Sequence, residues 1–584
     1  MEDVDYEYFQ YLYWLCFFEE VEKDENGIAR KCRMSPLIHA IASWEAAPIL
    51  VTLSEGQHNG IDRCKTQHVS FNFHLDSSSQ VPTSLVDAKR IRTILLNNQM
   101  LLETEGTQSQ SICDKIVSNC KLLRVLDLHN TGIKMVPVSI GMLKHLRYLD
   151  VSHNTAIKSL PNSITMLLHL TVLKLSSCYG LQELPRDIQK LVSLRHLEID
   201  WCYSLTHLPR GLGHLTQLQT LSEFVLNKGN RDSCSISELA GLNNLRGKLK
   251  IKNLENGIYN SKAGILKEKQ HLRSLTLAWD SDVHKDTAKD QLDCLESPSN
   301  IEELALVRYE GIEFSNWLSL LNNLQQQHFF PSLEELRLTE LPKLEGWWGG
   351  DNSLVTASSL PSFPRLSKLM IEDCPKLSSM PLYTHLTEWL VLDNTSLETF
   401  QQTMNTSRSS QVPSETNKEW SAASTFSAVF ASSSHSRLQS LCIIGIKKLD
   451  ITYSDKIRWE GLRNLRFLRF DYLPKLKKLP EGLQQVTTLR ELHIWRCNME
   501  TLPEWIGKFK LLTVLGILVC PYLNSLPEAI KSLSSLITLE IVDCPILLER
   551  CKSKTGADWH KIVHILDLLL QRPQSSFSSS SSRN

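Results

Sequence analysis

The sequence predicts an α/β solenoid, coil stacked on coil, with one short strand per coil pairing in parallel along a curved concave face. Three observations predict it. An apolar frame, Leu-x-x-Leu-x-Leu-x-x-(Asn/Cys/Thr), recurs every 23 or 24 residues from about residue 120. A second marker keeps the same beat: Pro137, Pro161, Pro185 and Pro209 lie 24 apart, each preceded by Val or Leu. Both markers return in register near the C-terminus, with Pro480, Pro503 and Pro527. Repetition at this period is the signature of a leucine-rich-repeat solenoid, whose coils touch only their neighbours.

The first block carries the frame at Leu123, Leu126, Leu128 and Thr131, and again at Leu146, Leu149, Val151 and Asn154. It continues at Leu170, Leu173, Leu175 and Cys178, then at Leu194, Leu197, Ile199 and Cys202. Two apolar residues spaced two apart point to one face of a strand. That face is the solenoid interior, where each buried leucine contributes roughly 1.5–3 kcal/mol. The Leu-Pro pair marks the return segment, where proline is expected to stop a helix. A run such as 140–146 then closes the coil on the outer side. The last frame position turns inward at a bend, where Asn, Thr or Cys can hydrogen-bond the bent backbone or fill a small space. This accounts for Cys178, Cys202, Cys374, Cys497, Cys520 and Cys544 better than metal or redox chemistry does.

The middle is less regular. Leu249 and Ile251, then Leu272, Leu275 and Leu277, then Ile301, Leu304 and Leu306 read as strands. Leu333, Leu336 and Leu338, and Leu366, Leu369, Ile371 and Cys374, continue the series. Spacings of about 30 imply longer outer loops, with 263–272 a candidate helix and Trp347 and Trp348 in another loop. Residues 401–436, rich in Ser, Thr and Gln, predict a disordered insertion that leaves the solenoid as a loop. The tail 573–584, with its serine run, is expected to be disordered too. The final three frames carry Leu492, Leu515 and Leu539.

Composition narrows the class. The 584 residues hold 63 basic and 64 acidic side chains, a net charge of −1. That balance supplies no global pull toward nucleic acid or an anionic membrane. The first residues are acidic and unlike a secretory signal, and no stretch reaches the roughly 20 apolar residues of a membrane span. A cytoplasmic protein with reduced thiols is expected. The 15 cysteines include no Cys-x-x-Cys pair, and no His-Glu-x-x-His occurs. No metal or catalytic site is expected: Asp558 with His560 lacks a nucleophile, base and orienter in sequence.

Particular stretches carry a family resemblance. Tyr8-Phe9 and the run from Cys16 to Val21, with Asp24-Glu25-Asn26-Gly27 and Cys32-Arg33-Met34, resemble the last part of a winged-helix subdomain. His68-Val69-Ser70-Phe71, and the run from Ala88 to Leu96, resemble a bridge into repeats. Cys544-Pro545, Leu548-Glu549-Arg550-Cys551 and Gly556-Ala557-Asp558-Trp559 resemble a C-terminal cap. With the Leu-Pro repeats, the chain resembles the C-terminal part of plant nucleotide-binding leucine-rich-repeat disease-resistance proteins of the coiled-coil class. The expected organisation is 1–45 a partial winged-helix remnant, 46–115 a bridging segment and N-terminal cap, and 116–400 a first repeat block. The insertion 401–436, a second block 437–550, a cap 551–572 and the tail 573–584 follow.

The resemblance implies a recognition module in plant innate immunity that binds a pathogen effector or a guarded host protein, with a separate nucleotide-binding receptor chain as a further partner. ADP or ATP binding, expected of the full-length family, is not expected here. The phosphate-cradling Gly-x-x-x-x-Gly-Lys-(Ser/Thr) loop does not occur, and Met34-Ser35-Pro36 stands where the family has Met-His-Asp. His39, in the helix-like run 37–42, reads as a packed histidine. The alternatives are a cytosolic leucine-rich-repeat signalling scaffold or a non-functional fragment of a receptor.

The strand frame assigns the outward face. In the first block it carries Tyr148, Asp150, Lys174, His196, Glu198 and Asp200, with Trp201 at the edge. In the last block it carries Phe467, Arg469, Asp471, His493, Trp495 and Arg496. Aromatics and arginines are the types enriched at interface hot spots. The candidate protein-binding residues are therefore Tyr148, His196, Trp201, Phe467, Arg469, His493, Trp495 and Arg496. The other reading is a solvated sheet face with long side chains lying along it.

Overall fold

The computed structural model describes residues 9–13, 15–23, 29–47, 49–53, 61–62, 64–71, 90–96, 107–227, 233–257, 264–280, 288–319, 330–347, 362–378, 382–383, 386–396, 399, 437–447, 449 and 459–571. The insertion 401–436 and the tail 573–584 lie outside them. The chain divides into two compact units, 1–260 with 268–272, and 261–267 with 273–584.

The described part of the first unit begins with a helical stretch over 9–13, then an antiparallel hairpin, Phe18–Lys23 with Ala29–Met34, and a helix, Pro36–Ala46, that has proline in its first turn. These elements are all that the described residues give to the winged-helix expectation. No residue of the helix is buried, and Leu37, Ile41 and Trp44 are 71%, 52% and 76% exposed. His39 is exposed, not packed as expected, because no layer covers this helix among the described residues.

A parallel sheet follows in strict sequence order: Leu50–Leu53, His68–Phe71, Thr93–Leu96, Val125–Asp127, Tyr148–Asp150, Val172–Lys174, His196–Glu198 and Thr220–Leu221. It starts well upstream of residue 116. Leu126, Leu149, Leu173, Leu197 and Leu221 are in-register partners on successive rungs, all at 1% exposure or less. Each strand is short because alternation lasts only while both inward leucines fit; the chain must then turn. The helix Thr107–Asn119 packs beside the first outer turn and buries Ile112, Cys113, Ile116 and Val117.

The outer side is built from 3₁₀ turns, including Val138–Met142 and Asn162–Met166. Proline starts these turns, where it was expected to prevent a helix. Pro137, at φ −62°, stands at the cap position, and its carbonyl accepts from the Ile140 amide at 3.0 Å. Its missing N–H is not needed there.

At each bend one residue adopts a left-handed backbone, and the next dives into the core. Asn130, His153, Ser177 and Trp201 have φ between 53° and 62°. The residue that follows closes the turn from inside. Asn154, fully buried, donates through Nδ2 to the carbonyls of Leu128 (2.9 Å) and Val151 (2.8 Å) and accepts from the Ile133 amide. Cys178 and Cys202 donate through Sγ to Val151 and Leu175 carbonyls, each at 3.2 Å. Burial pushes these thiols up to about 11 and about 12, so they are inert structural groups.

The second unit repeats this architecture. Its parallel strands are the part of His271–Ala278 from residue 273 on, then Glu303–Val307, Glu335–Thr339, Lys368–Glu372, Trp389–Asp393, Ser440–Ile444, Phe467–Asp471, Glu491–Trp495, Val514–Leu518, Thr538–Val542 and Asp567–Gln571. The inward leucines Leu304, Leu336, Leu369, Leu390, Leu441, Leu468, Leu492, Leu515 and Leu539 stay in register throughout. Trp389–Asp393 pairs directly with Ser440–Ile444, although 401–436 stands between them in sequence. The helix expected over 263–272 does not form. Residues 264–270 make turns, and His271–Ala278 is a strand that buries Leu272, Leu275 and Leu277.

The longer outer loops are held by aromatic packing. Trp279, Tyr309, Phe314, Trp347 and Phe363 are buried, with successive ring centroids 4.6–5.8 Å apart. The Trp347 Nε1 donates to the Leu318 carbonyl at 2.7 Å. Trp348 lies outside the described residues.

Candidate protein-interaction surface

The strand register places the candidate residues in columns. In the first unit Tyr148, Val172, His196 and Thr220 share one column, one residue per rung. Tyr148 and His196 therefore stand two rungs apart and do not form one cluster. Tyr148 Oη donates to Asp150 at 3.1 Å, and His196 Nδ1 meets Thr220 Oγ1 at 3.0 Å. Lys174 pairs with Glu198 at 3.1 Å. Asp150 is buried rather than presented outward, because it also accepts from the Ser152 amide and hydroxyl at 2.9 and 2.6 Å. Trp201 stands at the edge, 60% exposed on left-handed backbone, with Tyr203 edge-on at 6.2 Å. Tyr203 in turn packs on Tyr179 at 5.4 Å.

The last-block candidates do converge. The Arg469 guanidinium lies 3.7 Å from the centroid of the Trp495 ring. His493 packs between Phe467, at 5.2 Å, and Trp495, at 6.1 Å. Arg496 donates from Nε and Nη2 to Asp471 at 2.7 and 2.8 Å, and its guanidinium stands 5.8 Å from the Tyr472 ring. Arg469 also bonds Asp471.

Asp471 is thus the anchor of the cluster and not an outward contact: its side chain is fully buried. Burial pushes its carboxyl up, but the hydrogen bonds from Arg496 and Arg469 outweigh that, and the net shift is downward. The two guanidiniums are fixed in orientation by this one carboxylate. What remains on the outward face is a preformed aromatic and cationic patch of low side-chain entropy.

Sequence reasoning missed Tyr472, on left-handed backbone at φ 50° and 46% exposed, and the outward residues of Trp389–Asp393. The signal for that rung was partial: Leu390 and Leu392 repeat the Leu-x-Leu core of the frame, but Leu386 stands four residues before Leu390 where the frame has three. Asp558 and His560 make no catalytic pair. Asp558 is buried and accepts from Arg550, Lys561 and the Leu526 amide, while His560 faces Glu528 at 3.5 Å. Among the described residues no group of three or more His, Cys, Asp or Glu could hold a metal ion, and no helix is long and apolar enough to cross a membrane.

Inward leucine columns, left-handed bends and a parallel sheet built one strand per coil define a leucine-rich-repeat class of protein. The chain belongs to the leucine-rich-repeat family: the leucine-rich repeat region family matches residues 106–443, and the R13L1/DRL21 repeats match 473–544. Its repeats are similar to those of proteins named as plant disease-resistance proteins. It is 32% identical over 484 residues to disease resistance protein RGA1 of Solanum bulbocastanum, covering 80% of this chain and 48% of that protein. It is 27% identical over 211 residues to disease resistance RPP13-like protein 1 of Arabidopsis thaliana, covering 25% of this chain and 20% of that protein. The chain thus spans about half, or less, of the curated relatives it matches. Among solved structures, a leucine-rich-repeat protein of Leptospira interrogans aligns with a TM-score of 0.36 at 16% identity, covering 85% of this chain and 95% of that one. The TLR13–ssRNA13 complex aligns at 0.40 and 15%, covering 89% of this chain and 66% of that one.

Proposed function

We propose that the chain is the recognition part of a plant immune receptor system, acting in the cytoplasm. It binds a pathogen effector or a guarded host protein through the concave face around Phe467, Arg469, His493, Trp495 and Arg496. The observation that carries this reading is the convergence of aromatic and arginine side chains on one face, each held by contacts within the protein before any partner arrives. The reading includes no catalysis and no bound ADP or ATP, since neither the phosphate loop nor the Met-His-Asp run occurs in the sequence. Partner binding acts by favouring one state of a nucleotide-binding chain over another, which requires contacts that differ between those states.

The test is a screen of secreted pathogen proteins for binding to the full chain and for a leaf defence response on co-expression. A true partner loses at least about tenfold in affinity when Phe467 and Trp495 are both replaced by alanine, about 1.4 kcal/mol or more. The circular dichroism spectrum is expected to be unchanged. A partner whose binding ignores that double variant would place recognition elsewhere. Saturable ATP or ADP binding at micromolar concentration would contradict the nucleotide-free reading.

A further inference from the structure

The concave face of the second unit is not uniform, and its composition specifies the partner further. Lys368–Glu372, Trp389–Asp393, Ser440–Ile444 and Phe467–Asp471 pair in register. Met370, Val391 and Cys442 therefore sit side by side in the central column. Ile444 flanks them in the next column, and Trp389 and Phe467 stand in the one before. All six are partly exposed. An open sheet face normally carries polar side chains. A contiguous half-exposed apolar strip is the informative departure, of the kind that marks a docking site.

One border of the strip is acidic. Glu372, Asp373 and Asp393 lie on neighbouring rungs, and among the described residues none of the three is in a direct ion pair, although the Arg496 guanidinium is near enough to Asp393 to favour its charged form. Asp373 accepts only a neutral bond, from Asn394 Nδ2 at 2.7 Å. The nearby cations are committed. Arg308 pairs with Glu340 at 2.7 Å, Lys368 with Glu335 and Glu388 at 3.7 and 3.4 Å, and Arg337 with Glu335. Arg469 and Arg496 share the single Asp471 carboxylate, which offsets one of their two charges. Three carboxylates against the one guanidinium charge that Asp471 leaves over make the charge beside the apolar strip negative. Its electrostatic consequence is consistent: burial, then Asp373 and Glu372, push the Asp393 carboxyl up to about 6, and burial, then Asp373, push Glu372 up as well.

We infer that the partner is a protein segment that sets a lysine or arginine against Glu372, Asp373 and Asp393 while its flanking aliphatic or aromatic residues cover Met370, Val391, Cys442 and Ile444. This rests on the concave-face reading above and adds the chemistry of the occupant. Covering the strip excludes water, and the incoming cation supplies the counter-charge that the three carboxylates lack. An acidic segment would meet like charge and is disfavoured.

A random peptide library panned against the full chain tests this. Enriched peptides are expected to combine lysine or arginine with apolar residues and to lose binding with Val391→Glu. Glu372→Gln with Asp393→Asn, which keep side-chain shape, should weaken them about tenfold, and Glu183→Gln in the first unit should not. Raising the salt should weaken binding to the unaltered chain as well, a readout that needs no variant to fold. Peptides that require Val391 but are acidic, or indifferent to the carboxamide pair and to salt, would overturn the charge assignment and leave concave docking standing. Peptides indifferent to Val391→Glu as well would overturn both.

Discussion

Leu197→Asp is expected to remove cooperative folding from the rungs around it. Leu197 is fully buried and pairs in register with Leu173 on one side and Leu221 on the other. Replacing it forfeits the packing of a core leucine, which alone costs about 3–5 kcal/mol. It also places a carboxylate among Leu173, Leu221 and Ile199, where no cation reaches it, so a further desolvation penalty is added. Because each coil is supported only by its neighbours, the loss spreads along the stack more than it stays at one residue. Denaturant titration followed by hydrogen exchange should show fast-exchanging amides in the strands around 173–221. Val192→Asp is the matched control, since Val192 is 61% exposed on the outer turn and should leave the titration unchanged. A Leu197→Asp chain that melts like the parent would reject the inward assignment.

Asp558→Ala is expected to detach the C-terminal cap, at a cost of about 3 kcal/mol. The fully buried Asp558 side chain accepts from Arg550 Nε and Nη2 at 2.8 and 3.0 Å, from Lys561 Nζ at 2.9 Å and from the Leu526 amide at 3.1 Å. Its removal leaves the Leu526 amide and part of the Lys561 ammonium without that partner in a dry place. Burial pushes the Asp558 carboxyl up, but the bonds from Arg550, Lys561 and Leu526 outweigh it and hold the group down at about 2. The folded value lies below the ordinary 3.8, so the stabilisation is fully present above about pH 4 and is lost as pH falls through about 2. The difference in denaturation midpoint between the parent and Asp558→Ala should stay constant from neutral pH to about 5 and shrink in strong acid. A difference that vanished by pH 5 would contradict the account.

The parts of the fold that burial dictates were legible in the sequence. Leu126, Leu149, Leu173 and Leu197 had to be aliphatic, so their spacing spelled out the rungs, and Cys178, Cys202 and Asn154 marked the inward bend. The left-handed position before that bend was not legible. Asn130, Trp201, Tyr472, Arg496 and Val519 all occupy it, because its side chain points to water and backbone sterics alone bear the strain. Val519, β-branched at φ 54°, shows how strongly the coil imposes that conformation. The candidate site was half legible for a related reason. Phe467, Arg469, His493 and Trp495 could be placed outward by counting along strands. That Asp471 withdraws to bind two arginines depends on side chains 25 residues apart meeting across rungs, which the frame does not encode. The helix expected over 263–272 failed because a nearby strand with Leu272, Leu275 and Leu277 buries more apolar surface in the sheet.

Stacked parallel coils make one prediction that no other arrangement of these leucines shares. Tyr148 and Val172 are facing partners on adjacent rungs, whereas Tyr148 and His196 are separated by a whole rung. Strands in a sheet lie about 4.8 Å apart, inside the range a disulfide spans, and two spacings lie outside it. With cysteines at 148 and 172, mild oxidation should cross-link the native chain rapidly. With cysteines at 148 and 196 it should not. Equal cross-linking of both pairs, or of the second alone, would show that the rungs are not stacked in this register.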